Sequence, residues 1–169
     1  MEAESSAPAN GPAQKMTMVA WSGDLDRVWP QLILASTGAA YGMEVTIFFT
    51  FWGLFSLVRE ERRLTGDDWI TKMLAAMNAP GLARTKLSKL NMAGAGPKMM
   101  RMLADRHQVA SPTELLQVCR DLDVNLWPCQ MTMDLLGIDG KDLVEGVGEP
   151  VGAATALSEM SRSSINLFI

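Results

Sequence analysis

Hydrophobic positions along the chain alternate between two periods. "MTMVAWSG" at 16–23 is a short apolar run that ends in Ser-Gly, which predicts a first strand and a turn. In "LDRVWPQLILASTGAAYG" the apolar Leu25, Val28, Leu32, Ala35 and Ala39 recur at spacings of three or four, the stripe of a half-buried helix. Pro30 is tolerable in its first turns. Asp24 or Ser22 can cap its start by accepting a hydrogen bond from a free backbone N–H, and Gly42 suits its end. "EVTIFFTFWG" at 44–53 is β-branched and aromatic throughout, as in a buried strand. A strand, a helix and a strand at this spacing make a βαβ unit with parallel strands.

Beyond Gly53 the pattern "LFSLVREERR" is helical. Residues 65–97 hold a helical piece at 67–78, an Asn-Ala-Pro-Gly break and a Gly-rich stop, and read as a partly helical insertion. "PKMMRMLADRH" at 97–107 predicts a helix. So does "SPTELLQVCRDLD" at 111–123, with Ser111 as N-cap, Pro112 at the first position and Glu114 completing a capping box. "VNLWPC" predicts a strand, "QMTMDLLGI" a short helix and "KDLVEG" a helical turn. "GAATALSEMSRSS" predicts a helix introduced by an extended piece at 147–151, and "INLFI" a last, buried strand. This order gives an α/β fold: a three-layer sandwich around a mostly parallel sheet. The organisation expected is a disordered arm over 1–15 and a single domain over 16–169.

Composition narrows the function classes. The 169 residues suit one domain, 48% are hydrophobic and 20% charged, and the formal net charge of −4 argues against nucleic acid as a partner. The opening "MEAESSAPANGPAQK" has no apolar core of a secretory signal. A cytoplasmic setting is therefore expected, in which both cysteines rest as thiols. The apolar stretch 28–58 contains one charge, Glu44. Pro30, Gly38, Gly42 and Glu44 split it into helix and strand, so it does not read as a membrane span. Peripheral membrane association stays open as an alternative. The thirteen methionines read first as core filler and second as an adaptable binding surface.

Candidate chemistry gathers where strands end, because ligands of open parallel sheets sit outside the carboxyl ends of their strands. Three loops meet that rule: Ser22, Gly23 and Asp24; Thr50 to Gly53; and Cys129, Gln130, Met131 and Thr132. Cys129 sits between a strand and a helix. Its sulfur there faces unsatisfied N–H groups and the positive end of the helix, which favour thiolate. The competing reading is an inert buried cysteine. Asp134 either orients a group near the thiol or is an ordinary exposed carboxylate. Cys119 lies among apolar residues and reads as packing. His107 is the only histidine, no Cys/His spacing suits zinc, and "NMAGAGP" lacks the signature of a nucleotide loop, so neither metal nor cofactor is implied.

Three stretches, "WSGDLDRVWPQLILASTGAAYGMEVTIFFTFWGL", "KMMRMLADRHQVASPTELLQVCRDLDVNLWPCQMTMDLLGI" and the closing "NLFI", resemble the DsrE/DsrF/DsrH-like family from about residue 16 to 169. The nearest branch is often labelled "peroxiredoxin family protein". That label finds no support here, because no peroxidatic Thr/Pro and Arg setting surrounds Cys129. The resemblance implies a flavodoxin-like sandwich that forms homo-oligomers. It also implies a sulfur relay in which Cys129, in the "CQMTMD" motif, carries a persulfide between rhodanese-like and TusA-like proteins. The motif usually has Ser where this chain has Thr132, and the hydroxyl is retained. Some relatives are membrane-associated. Two functions stay open at this point: a sulfur carrier, with sulfurtransferase activity undecided, and a non-enzymatic interaction or ligand-binding module with an inert Cys129.

Overall fold

The computed structural model describes residues 14–61, 81–82 and 85–169. Most of the expected arm and the helical piece at 67–78 lie outside the described residues. The first strand, β1 (Lys15–Ala20), leads into α1 (Leu25–Ala40) and β2 (Glu44–Phe49). β1 and β2 pair in parallel with Met16 opposite Val45 and Ala20 opposite Phe49, the expected βαβ unit. The chain continues through a 3-10 turn (Phe51–Leu57), a second (Met92–Gly94), α2 (Ala95–Arg106), α3 (Pro112–Asp121) and β3 (Asn125–Pro128). It closes with α4 (Gln130–Leu136), a third 3-10 turn (Gly140–Asp142), α5 (Ala153–Arg162) and β4 (Ile165–Phe168).

All strand pairs are parallel and the sheet order is β3-β2-β1-β4. From β1 to β3 the chain steps in one direction across the sheet, then it jumps back past β1 to place β4. Right-handed crossovers require the helix of the return step to lie on the opposite face. The packing agrees. Met16, Met18, Ala20, Val45, Ile47, Phe49 and Leu126 face α1, α3 and α4 through Val28, Leu32, Leu116, Cys119 and Met133. The other face offers Val19 and Phe48 to Ala156 of α5, with Thr17 and Thr46 buried. The result is the three-layer α/β sandwich.

Several local expectations shift. β2 ends at Phe49 rather than Gly53, and the following apolar residues form the 3-10 turn. Leu54 to Leu57 are helical as expected, and the shift falls on Phe51, Trp52 and Gly53, because a short apolar run cannot tell the end of a strand from the start of a helical turn. Helicity then stops at Leu57. Val58 bridges Leu143 in antiparallel fashion, and the Arg59 N–H donates to Asp142 O. β4 is an edge strand, bonded only to β1, and Phe168 is 69% exposed, so the terminal strand is not buried. The extended piece at 147–151 forms no strand of its own: the Gly148 N–H donates to Leu126 O of β3 at 2.9 Å, and Val151 bridges Cys129.

The capping box of α3 forms as expected: Ser111 Oγ accepts from the Glu114 N–H at 3.3 Å and Glu114 Oε2 accepts from the Ser111 N–H at 2.7 Å. At α1, Asp24 occupies the N-cap position without side-chain capping. Its carboxylate accepts instead from the Ser22 hydroxyl at 3.1 Å, and Ser22 Oγ accepts from the Asp24 N–H at 3.2 Å. The methionines divide. Met16, Met18 and Met133 fill the core, whereas Met92, Met99, Met100, Met102 and Met131 are exposed. Met99, Met100 and Met102 lie on α2, which buries only Pro97. Among the described residues no helix is long and apolar enough to cross a membrane, and the stretch 28–58 is divided between α1, β2 and the 3-10 turn.

Candidate functional site

Cys129 is placed by its two neighbours in sequence. Pro128 ends β3, and the Cys129 N–H donates to Phe49 O at 2.9 Å, which ties this residue to the end of β2. Its carbonyl accepts from the Met133 N–H at 3.0 Å, which makes it the N-cap of α4. Side chains alternate along a strand, so the sulfur projects to the face shared by Asn125 and Trp127. There it packs with Val19, Phe48 and Ala156 and is 3% exposed.

Burial in this apolar cluster raises the cost of a thiolate. Four donors oppose it: the Thr132 hydroxyl, the Thr132 N–H, the Thr50 hydroxyl and the Met131 N–H. Together they outweigh burial and hold the Cys129 thiol below its ordinary range. The hydroxyls are themselves positioned. Thr50 Oγ1 and Thr132 Oγ1 lie 3.2 Å apart, and the Phe51 N–H donates to Thr132 Oγ1 at 3.1 Å. That donation occupies a lone pair of Thr132 and leaves its proton free to point at sulfur. To make it, Phe51 adopts φ 46°, in the left-handed region that a bulky side chain avoids. The Gln130 N–H is not part of the cradle, because it donates to Val151 O at 3.0 Å. Met131 contributes its backbone, and its side chain is exposed. Asp134 accepts from Gln130 Nε2 at 2.7 Å and has no bond to the thiol, so it is the ordinary exposed carboxylate.

The three loops anticipated at the strand ends do not make one pocket. Ser22, Gly23 and Asp24 join Trp21, Trp52, Ser56 and Lys86 around a cavity of about 250 Å³ that Cys129 does not line. Thr50 belongs to the thiol, two residues before Trp52 at the cavity. Gly53 serves neither directly. A Cβ there would sit 2.2 Å from Ala20 O, so its role is to let the loop after β2 close on the end of β1. Sequence patterns gave no sign of the Phe51 N–H, since Phe is a poor candidate for positive φ. Trp52 lies within the anticipated loop Thr50 to Gly53, whereas the Ser56 and Lys86 contributions had no signal. Cys119 is fully buried, its thiol lies 3.7 Å from Leu32 O, and burial pushes it up to about 11. Among the described residues no group of His, Cys, Asp and Glu could hold a metal ion.

The sequence profile of the DsrE/DsrF/DrsH-like family matches residues 12–168. The chain belongs to this family. It is 38% identical over 156 residues to the uncharacterised protein YrkE of Bacillus subtilis, covering 92% of this chain and 97% of that one. It is 32% identical over 166 residues to a protein of Allochromatium vinosum named sulfur carrier protein DsrE2, covering 92% and 98%. Among solved structures, ychN from E. coli superposes with a TM-score of 0.58 at 13% identity, over 92% of this chain and 99% of ychN. MTH1491 of Methanobacterium thermoautotrophicum, a protein of unknown function, superposes at 0.52 and 12% identity with the same coverage. These two likenesses establish the DsrE-type, flavodoxin-like fold.

Proposed function

We propose that this DsrE-family protein is a sulfur-relay protein that carries sulfane sulfur on Cys129. The observation that carries the reading is the hydroxyl and N–H cradle that lowers the Cys129 thiol against the pull of its apolar burial. Its similarity to a protein named as a sulfur carrier supports the same reading. In the step proposed, the Cys129 thiolate attacks the terminal sulfur of a donor persulfide. The donor S–S bond breaks, its own cysteine leaves as thiolate, and a Cys129 persulfide remains, whose terminal proton passes to the departing thiolate or to water to leave the persulfide anion. No electrons are lost or gained overall. Thr132 and Thr50 then favour the loaded anion as they favour the thiolate. A modestly lowered thiol suits a carrier, because nucleophilicity falls with pKa and the sulfur must also be released.

A rhodanese-like donor and a TusA-like acceptor are the partners of this scheme, with the chain as a homo-oligomer in a reducing cytoplasm. The test is incubation of the reduced protein with a rhodanese-type persulfide donor, followed by intact-mass spectrometry. The expected result is a gain of one sulfur atom, mapped to Cys129 and missing in Cys129→Ser. Equal loading of both proteins, or loading of neither, refutes the relay and leaves Cys129 as an inert core residue of a binding module.

A further inference from the structure

We propose that the cavity over the carboxyl ends of β1 and β2 is a binding site for an amino-acid-sized zwitterion. Four observations carry it. The first is its position, which is where open parallel sheets hold ligands. The second is that it is built rather than incidental. A Cβ on Gly23 would lie 2.6 Å from Trp52 O, and one on Gly53 would lie 2.2 Å from Ala20 O. Only glycine at both places lets the two loops close on each other, and the Gly53 N–H then donates to Trp21 O at 3.2 Å. The third is Ser56, which is 5% exposed, lines the cavity, and has a hydroxyl with no hydrogen-bond partner among the described residues. A buried hydroxyl is costly to leave unpaired, and a ligand atom would satisfy it. The neighbouring hydroxyls are occupied, Ser22 with Asp24 and Thr85 with Leu82 O.

The fourth is charge. Among the described residues the cavity brings together one carboxylate, Asp24, one ammonium, Lys86, and two indoles, Trp21 and Trp52, and an ammonium has three donors, so a partner it already holds leaves capacity for a ligand. Asp24 accepts from Ser22 through one oxygen, and a carboxylate has capacity for further donors. A ligand ammonium suits Asp24 and the aromatic faces. A ligand carboxylate suits Lys86 and the Ser56 hydroxyl. A simple anion would meet Asp24 and a simple cation would meet Lys86, so the pair selects a molecule with both ends charged. About 250 Å³ limits it to amino-acid or dipeptide size. Trp52 at this cavity and Phe51 at the Cys129 cradle are adjacent in the chain, so the relay reading points to a low-mass thiol as the relevant zwitterion. That choice alone rests on the proposed function.

The probes are L-cysteine, cysteamine, which lacks the carboxylate, and mercaptopropionate, which lacks the ammonium. Each is titrated into the reduced full-length protein by calorimetry. L-cysteine is expected to bind saturably, and either one-ended analogue to bind on the order of tenfold more weakly, as loss of a charged hydrogen bond implies. Ser56→Ala removes a hydroxyl that holds nothing in the protein, so it should melt as the native chain does and bind L-cysteine several-fold more weakly. Asp24→Asn should lose the preference for L-cysteine over mercaptopropionate. Equal binding of the three probes, no saturable binding at millimolar concentrations, or native-like binding by both variants overturns the site. Binding is read without sulfur transfer. A chain that never loads Cys129 yet discriminates the probes as stated upholds the site and removes the relay.

Discussion

Replacing Thr132 with valine separates the hydroxyl from everything else at the thiol. Valine keeps the side-chain shape and the residue 132 N–H, and it removes the largest of the groups that lower the Cys129 thiol. A hydrogen bond to a charged group is worth about 1.5–3 kcal/mol. Burial, the strongest influence here and an opposing one, then faces only the Thr50 hydroxyl and two N–H groups. The titration midpoint of Cys129 should therefore rise. It is read from the pH dependence of alkylation, compared by midpoint rather than by rate, since both proteins share the same barrier of access. Thr132→Ser restores the hydroxyl and should return the midpoint to near the native value. Valine also strands the Phe51 N–H, now bonded at 3.1 Å, at a cost of about 1–3 kcal/mol of stability. A thiol held low in the folded state contributes stability above the pKa of the unfolded thiol and loses it as pH falls through the folded value. The stability gap between the native chain and Thr132→Val should thus widen from neutral to alkaline pH. An unmoved midpoint in Thr132→Val, or an equal rise in Thr132→Ser, refutes the hydroxyl as the cause.

Cys119→Ala should load sulfur normally and lose about 1 kcal/mol in denaturant titrations, the cost of a small buried group. Because burial pushes the Cys119 thiol up to about 11, its contribution is present below the unfolded thiol pKa and is lost as pH rises from there through the folded value. The alanine variant should accordingly show a shallower alkaline loss of stability, and lost loading with an intact fold would refute the packing role. Gly53→Ala, whose Cβ would press on Ala20 O at 2.2 Å, should lower the urea midpoint by an amount equivalent to about 1–3 kcal/mol. A native-like midpoint would contradict the close approach of the two loops.

Local periods carry local information, and the outcome divides along that line. The βαβ unit was legible because α1 repeats every three or four residues and both strands are dense in β-branched and aromatic residues. The α3 start was legible because Ser111, Pro112 and Glu114 each act within one turn. Cys129 could be placed between β3 and α4 for the same reason. The end of β2 was not legible, since its apolar run continues through Phe51, Trp52 and Gly53, which belong to the 3-10 turn. Nor was the exposure of β4, because strand order is a property of the whole sheet. The separation of Ser22 to Asp24 from Cys129 has the same origin: β2 stands between the strands that end in these two loops. The left-handed Phe51 was illegible because the demand for its N–H comes from Thr132, far along the chain.

The two faces of the sheet are unequally covered. One carries the deep core beneath α1, α3 and α4, while the other holds Val19, Phe48, Cys129 and Ala156 under α5, which is tethered at its end by Glu159 to Lys15 and by Ser163 to Thr17. Layers with few apolar contacts open at lower free energy than the rest of a fold. The sulfur, 3% exposed, then behaves as a gated reactant. At low donor concentration its rate follows the fraction of molecules with α5 lifted. At high concentration the rate levels off at the speed of lifting, the same for every donor. A rate that keeps climbing with donor concentration would mean that the thiol is reached by another route.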